Sequence, residues 1–159
     1  MEGAVMSPFV AMLIARGLRT LFVLMARASA TAATIAQRLS EDRRVARVHY
    51  PGLPAHPQHD LAVRQMERGF GAMVAFELAG GLGAGTRTYD GLGLIARAVS
   101  LGDVRSLLTH PASTTAVSMS REARAAAGIS DGLMRLSVGL EDVEDLWEDL
   151  DQAIPRAVT

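Results

Sequence analysis

Gly132-Leu133-Met134-Arg135-Leu136-Ser137-Val138-Gly139 runs straight into the segment from Leu140 to Ile154, LEDVEDLWEDLDQAI. The first part reads as an apolar strand, Leu133 to Val138, broken by a single cation. The second is the clearest helix in the chain. Val143, Leu146, Trp147, Leu150 and Ile154 recur at helical spacing, acids fill the other face, and Pro155 ends it. Acids near its start also suit the helix dipole. A strand that hands over to an amphipathic helix is the building unit of a helix-covered sheet.

Working upstream, the same alternation recurs. Val45 to Tyr50, Ala72 to Leu78 and Ala96 to Leu101 read as further strands, which makes an α/β domain with a sheet of about four strands covered by helices. Short helices are expected from Asp60 to Glu67 and from Ser120 to Ala127. Ala84 to Ile95 is a weak helix, because Gly91 and Gly93 each cost about 1 kcal/mol against alanine. The segment Pro51-Gly52-Leu53-Pro54-Ala55-His56-Pro57 can continue neither regular structure. Nearest the N-terminus, Ser7-Pro8 is a good helix start. Phe9 to Ala26 then carries Leu, Ile, Val, Met or Phe on nearly every face, so it needs cover on several sides. A second helical pattern runs from Ala30 to Leu39.

Composition narrows the chemistry. The 159 residues are 49% hydrophobic and 21% charged with a net charge of -1, which describes a folded protein without a field for nucleic acid or an anionic membrane. Arg16, Arg19 and Arg27 interrupt the apolar N-terminal stretch, so no uncharged run of about 18–20 residues is left to span a bilayer. A cytoplasmic location is expected. Cysteine is absent, and His49, His56, His59 and His110 are the only histidines, so neither a thiolate nucleophile nor a metal site is expected. His56 and His59 read as solvated loop residues and His110-Pro111 as a loop corner. All 16 basic side chains are arginine, and lysine does not occur.

Arg135 is the residue with chemical potential. A guanidinium inside an apolar strand is unfavourable unless an anion meets it, and its planar fork suits a carboxylate. Strand alternation alone leaves two other readings open: Arg135 points outward, or it pairs with an internal acid. Ser100, before the Leu101-Gly102 turn, commonly does no more than bond local backbone.

The runs SLGDVRSLLTHPASTT (Ser100 to Thr115) and AAGISDGLMRLSVGLEDVEDLWEDLDQAI (Ala126 to Ile154) resemble the C-terminal signature of the Cys/Met-metabolism PLP-dependent enzymes. That family includes methionine gamma-lyase, cystathionine gamma-synthase, the cystathionine lyases and the O-acylhomoserine sulfhydrylases. The resemblance extends upstream through GAVMSPFVAMLIARGLRTL, VHYPGLPAHPQH and GAMVAFELAGG. It implies the C-terminal small domain of a fold-type I, aspartate-aminotransferase-like enzyme. Residues 1–25 would then be the end of the large cofactor domain and the start of the linking helix, and residues 26–159 the small domain. It further implies that Arg135 grips the substrate α-carboxylate, that Ser100 helps, and that Thr115 lies close by. The substrate would be a sulfur-containing or O-acylated amino acid undergoing gamma-elimination or gamma-replacement. Val99 stands where cystathionine-handling members commonly carry glutamate, as in methionine gamma-lyase-like members, whereas HPASTT looks more like a sulfhydrylase and Ala116 replaces a common histidine.

The cofactor implied is pyridoxal phosphate, and none of its expected holders transfers onto this sequence. A partner chain carrying the missing cofactor domain is therefore expected, together with a homo-oligomeric assembly. Alone the chain is expected to be inactive, either as a split portion or as an inactive fragment or assembly module. The absence of lysine generates a direct test. Incubation with pyridoxal phosphate, borohydride reduction and peptide mass analysis should show no stoichiometric adduct on any internal residue.

Overall fold

The computed structural model describes residues 5–155. Helix α1 spans Pro8–Glu41, and the Ser7 hydroxyl caps it by accepting from the Val10 amide at 3.3 Å. The two helical patterns around Ala28-Ser29-Ala30 are thus one helix. Small residues there carry no breaker, and Ser29 stays helical while its hydroxyl accepts from the Gly71 amide. Burial is one-sided along the length of α1. Phe9, Leu13, Ile14, Leu18 and Phe22 are exposed, whereas Ala28, Ala32, Ile35, Ala36 and Leu39 are buried. By length and composition alone, α1 is also long and apolar enough to cross a membrane despite its arginines.

After α1 come β1 (Val45–His49), α2 (His59–Gln65), β2 (Met73–Leu78), α3 (Gly81–Gly91), β3 (Ala96–Arg97), β4 (Leu107–Thr109), α4 (Arg121–Ala126), β5 (Leu133–Ser137) and α5 (Val143–Ala153). The sheet has five strands in the order β1-β2-β5-β4-β3, all antiparallel except the outer β3–β4 pair. One strand more than expected arises because Leu107-Leu108-Thr109 is three residues long and too short for a sequence period. The expected strand from Ala96 to Leu101 is paired only at its start, and the chain then bends away as the Ser100 loop.

Register puts Val74, Phe76, Met134, Leu136 and Leu108 on one face, where they pack into a single core with Ile35 and Leu39 of α1 and Leu146 and Leu150 of α5. Each such side chain contributes about 1.5–3 kcal/mol on burial. Alternation turns Ala75, Glu77 and Arg135 to the opposite face, and none of them belongs to this core.

Two charged residues lock the helices to the sheet. Arg44 binds Asp42 and the Asp151 carboxylate, and donates to the Asp151 and Ile154 carbonyls at the end of α5. Its hydrogen bond with Asp42 raises an already high pKa. Asp149, buried on α5, accepts from the backbone amides of Gly93, Leu94 and Ile95 at 2.8–3.0 Å. Burial pushes its pKa up, but the amides of Ile95, Gly93 and Leu94 with the Gln152 side chain outweigh it, and the net shift is downward from 3.8. The ionised form is thus favoured by folding. Its stability contribution is present above the unfolded value and is lost as pH falls through the lower folded value. Asp149→Asn should cost about 2–3 kcal/mol at pH 7. Urea titrations at falling pH should show the gap to wild type narrowing below that ordinary aspartate value.

Candidate functional site

Arg135 sits on β5 between two fully buried residues and points to the face away from the core. It is half-buried there. Its register partners are Ala75 on β2 and Thr109 on β4, both small, so the long side chain has room to lie along the sheet. It reaches past β4 to the loop that follows β3, where Nη2 donates to the carbonyls of Val99 at 2.5 Å and Ser100 at 3.2 Å. Its Nε is buried without a hydrogen-bond partner. No carboxylate among the described residues forms an ion pair with it. Of the alternatives left by the sequence, pairing with an internal acid is not found among the described residues. Alternation does turn Arg135 away from the core, but onto a half-buried site with unsatisfied donors, which an anion would complete.

The structure brings Ser100 and Arg135 together through the Ser100 carbonyl. The Ser100 hydroxyl is exposed and has no partner among the described residues. Thr115 is exposed too, and has no hydrogen bond to either of them. It lies on the segment after the short 3-10 turn Pro111–Ser113. His110 fixes where that segment begins. Read from sequence as a loop corner, it is fully buried. Its Nε2 donates to the Asp131 carbonyl at 2.9 Å, because a carbonyl can only accept, which leaves Nδ1 to accept from the Ser113 hydroxyl at 2.8 Å. The Thr114 hydroxyl closes the turn onto the His110 carbonyl.

Several contributors escaped the sequence reading. The carbonyls of Val99 and Ser100 carry no side-chain signature at all. Ser137, by contrast, lies two positions along the strand from Arg135, so the period of two already placed both on one face. His49 and Glu77 form a 2.7 Å pair on the same face, and the hydrogen bond from His49 holds the Glu77 carboxyl below its usual range. The described residues hold no group of three side chains suited to a metal ion.

Arg135 thus presents a cation with an unpaired donor on the face of the sheet turned away from the core. The family model for the Cys/Met metabolism PLP-dependent enzymes matches residues 1–155. The chain belongs to this family. It is 52% identical over 154 residues to the L-methionine gamma-lyase of Pseudomonas putida, covering 97% of this chain and 38% of that protein. It is 45% identical to the O-succinylhomoserine sulfhydrylase of Pseudomonas aeruginosa, covering 93% and 36%. Among solved structures, the cystathionine gamma synthase of Xanthomonas oryzae pv. oryzae in complex with aminoacrylate and cysteine matches with a TM-score of 0.84 and 51% identity, over 93% of this chain and 38% of that one. The chain therefore spans under two fifths of the length of these family members. The α/β architecture is that of the C-terminal part of the fold.

Gly85 of α3 gives the site a sensitive point. A methyl group there would come within 2.3 Å of His110 Nε2. Gly85→Ala should displace the imidazole from the Asp131 carbonyl and cost about 1–3 kcal/mol in overpacking, read by thermal melting and by the His110 ring signals in NMR.

Proposed function

We propose that this chain is the substrate-binding C-terminal portion of a PLP-dependent enzyme that carries out gamma-elimination or gamma-replacement on sulfur-containing or O-acylated amino acids. The observation that carries the proposal is Arg135, half-buried, without a carboxylate partner and with a buried unpaired Nε. A substrate α-carboxylate supplies the missing anion.

Pyridoxal phosphate is the cofactor of this family. The residues present here do not fit it as holders, since no lysine is available to bind it covalently. No chemical step is assigned to these residues, and cofactor attachment falls to polypeptide outside them. What they do is bind and orient. Arg135 fixes the carboxylate, the free Ser100 hydroxyl adds a hydrogen bond, and Thr115 approaches from the segment anchored by His110. Val99, uncharged and exposed beside this clamp, suits a substrate whose far end is neutral.

The division of the chain follows the same logic. Residues 1–25 belong with the cofactor domain and the linking helix, and residues 26–159 form the small domain. Burial along α1 beginning at Ala28 supports that boundary. The cover for the apolar first half of α1 is then protein rather than lipid, supplied by the cofactor-bearing polypeptide in a cytoplasmic homo-oligomer.

Arg135→Lys keeps the charge and loses the fork. In the protein assembled with its cofactor-bearing portion, it should weaken amino-acid binding by about 2–5 kcal/mol, whereas Ser100→Ala should cost about 1 kcal/mol. Apparent affinity for L-methionine is the measurement. Unchanged affinity and turnover in the Lys variant, with cofactor bound, would remove the carboxylate assignment.

A further inference from the structure

We infer that Ser137 is a positioning residue that holds the Ser100 loop in place while Arg135 is occupied by substrate. The inference rests on the carboxylate role proposed for Arg135 and concerns what that role does to the loop.

β5 reaches the loop at two points, with opposite chemistry. Arg135 is donor-only and holds carbonyls, those of Val99 and Ser100. The Ser137 hydroxyl oxygen accepts from the Gly102 amide at 3.1 Å. Ser137 is 2% exposed, and Gly102 has φ +76°, a conformation that side-chain-bearing residues rarely adopt. The loop itself is open to solvent from Val99 to Arg105. On its N-terminal side it is held by the Ala98 amide on the Leu108 carbonyl and by the Thr109 hydroxyl on the Ala98 carbonyl. On its C-terminal side the Leu140 amide donates to the Val104 carbonyl at 2.9 Å. Between these ends, Arg135 and Ser137 are, among the described residues, the only side chains that hydrogen-bond to the stretch from Val99 to Gly102.

The two tethers respond differently to substrate. Nη2 has two N–H groups, and both face carbonyls of the loop. A carboxylate gripped side-on through the unpaired Nε and Nη2 takes one of them, and the Ser100 contact is the longer. Arg135 thus loosens its hold on Ser100 at the moment the Ser100 hydroxyl is needed. Ser137 is not part of that exchange and keeps its grip through Gly102.

The consequence is separable from ordinary structural support. The carboxylate keeps its charge throughout, so a clamp that is merely less ordered loses ground-state and transition-state binding alike, which raises KM and spares kcat. Ser137 also lines a cavity of about 270 Å³ with Met25, Leu101 and Val138, so a methyl added by Ser137→Thr has space. Steady-state kinetics on L-methionine, in the protein assembled with its cofactor-bearing portion, should show Ser137→Ala raising KM about five- to tenfold with kcat within about twofold. Hydrogen exchange at the Gly102 amide should accelerate about tenfold in that variant, and Ser137→Thr should restore both readings. In the wild type, the Gly102 amide should stay protected with L-methionine bound. A wild-type Gly102 amide that exchanges like a free loop amide overturns the inference, even if Ser137→Ala does not fold. So does a Ser137→Ala variant with lowered melting temperature and kcat but unchanged KM. Should Arg135→Lys raise KM while Ser137→Ala does not, this inference fails alone. Should Arg135→Lys leave KM unchanged, the carboxylate role fails with it.

Discussion

Between Met134 and Leu136, both sealed in the core, the pleat of β5 turns Arg135 to the other side of the sheet. That single alternation lets one strand serve two masters. Its even positions bond the sheet to α1 and α5 through dispersion and exclusion of water, and Arg135 and Ser137, two of its odd positions, carry polar groups toward the Ser100 loop. A slip of one residue in the β2–β5 register would bury the guanidinium among leucines and strand the leucines in water. Because β5 is the middle strand of five, paired on both sides, such a slip would break two ladders together. The site inherits its precision from the core behind it.

The first contrast between sequence and structure lies in element length. α5 was legible because eleven residues give three turns of periodicity, and the structure places it where the Val143 to Ile154 pattern does. β4 has three residues, fewer than two periods of a strand, and nothing in Leu107-Leu108-Thr109 distinguishes a strand from a turn. The merging of the first two helical patterns has a similar cause. Ala28, Ser29 and Ala30 lower the hydrophobic signal without supplying a proline or glycine that would stop the helix. The same segment is where burial begins, so a dip in hydrophobicity marked a change of neighbours rather than an end.

In the site, the type of Arg135 could be read from sequence but its company could not. A guanidinium in an apolar strand called for either an anion or an outward face, whereas its present partners are two backbone carbonyls, which every residue possesses. Ser100 was legible as a residue next to a glycine turn, and the structure adds that its carbonyl, not its hydroxyl, faces Arg135. Thr115 keeps only its place on the chain. Asp149 shows the reverse error: among so many acids on α5 it reads as one more solvated carboxylate, yet it is buried and holds three amides. Charge pattern reports the face of a helix well and says little about which member of that face meets the end of a neighbouring loop.

Helix α1 carries a mechanical meaning beyond its packing. Its 34 residues make a rod about 50 Å long at 1.5 Å per residue, with Gly17 its sole internal glycine and no proline past the first turn. Such a rod resists bending, so its buried second half and exposed first half turn as one piece. Whatever grips the exposed half thereby sets the attitude of the whole sheet, and with it the bearing of Arg135. A tilt of a few degrees at one end is amplified by leverage into ångströms at the other. The stiffness of α1 in this sense couples its exposed half to the sheet that carries Arg135.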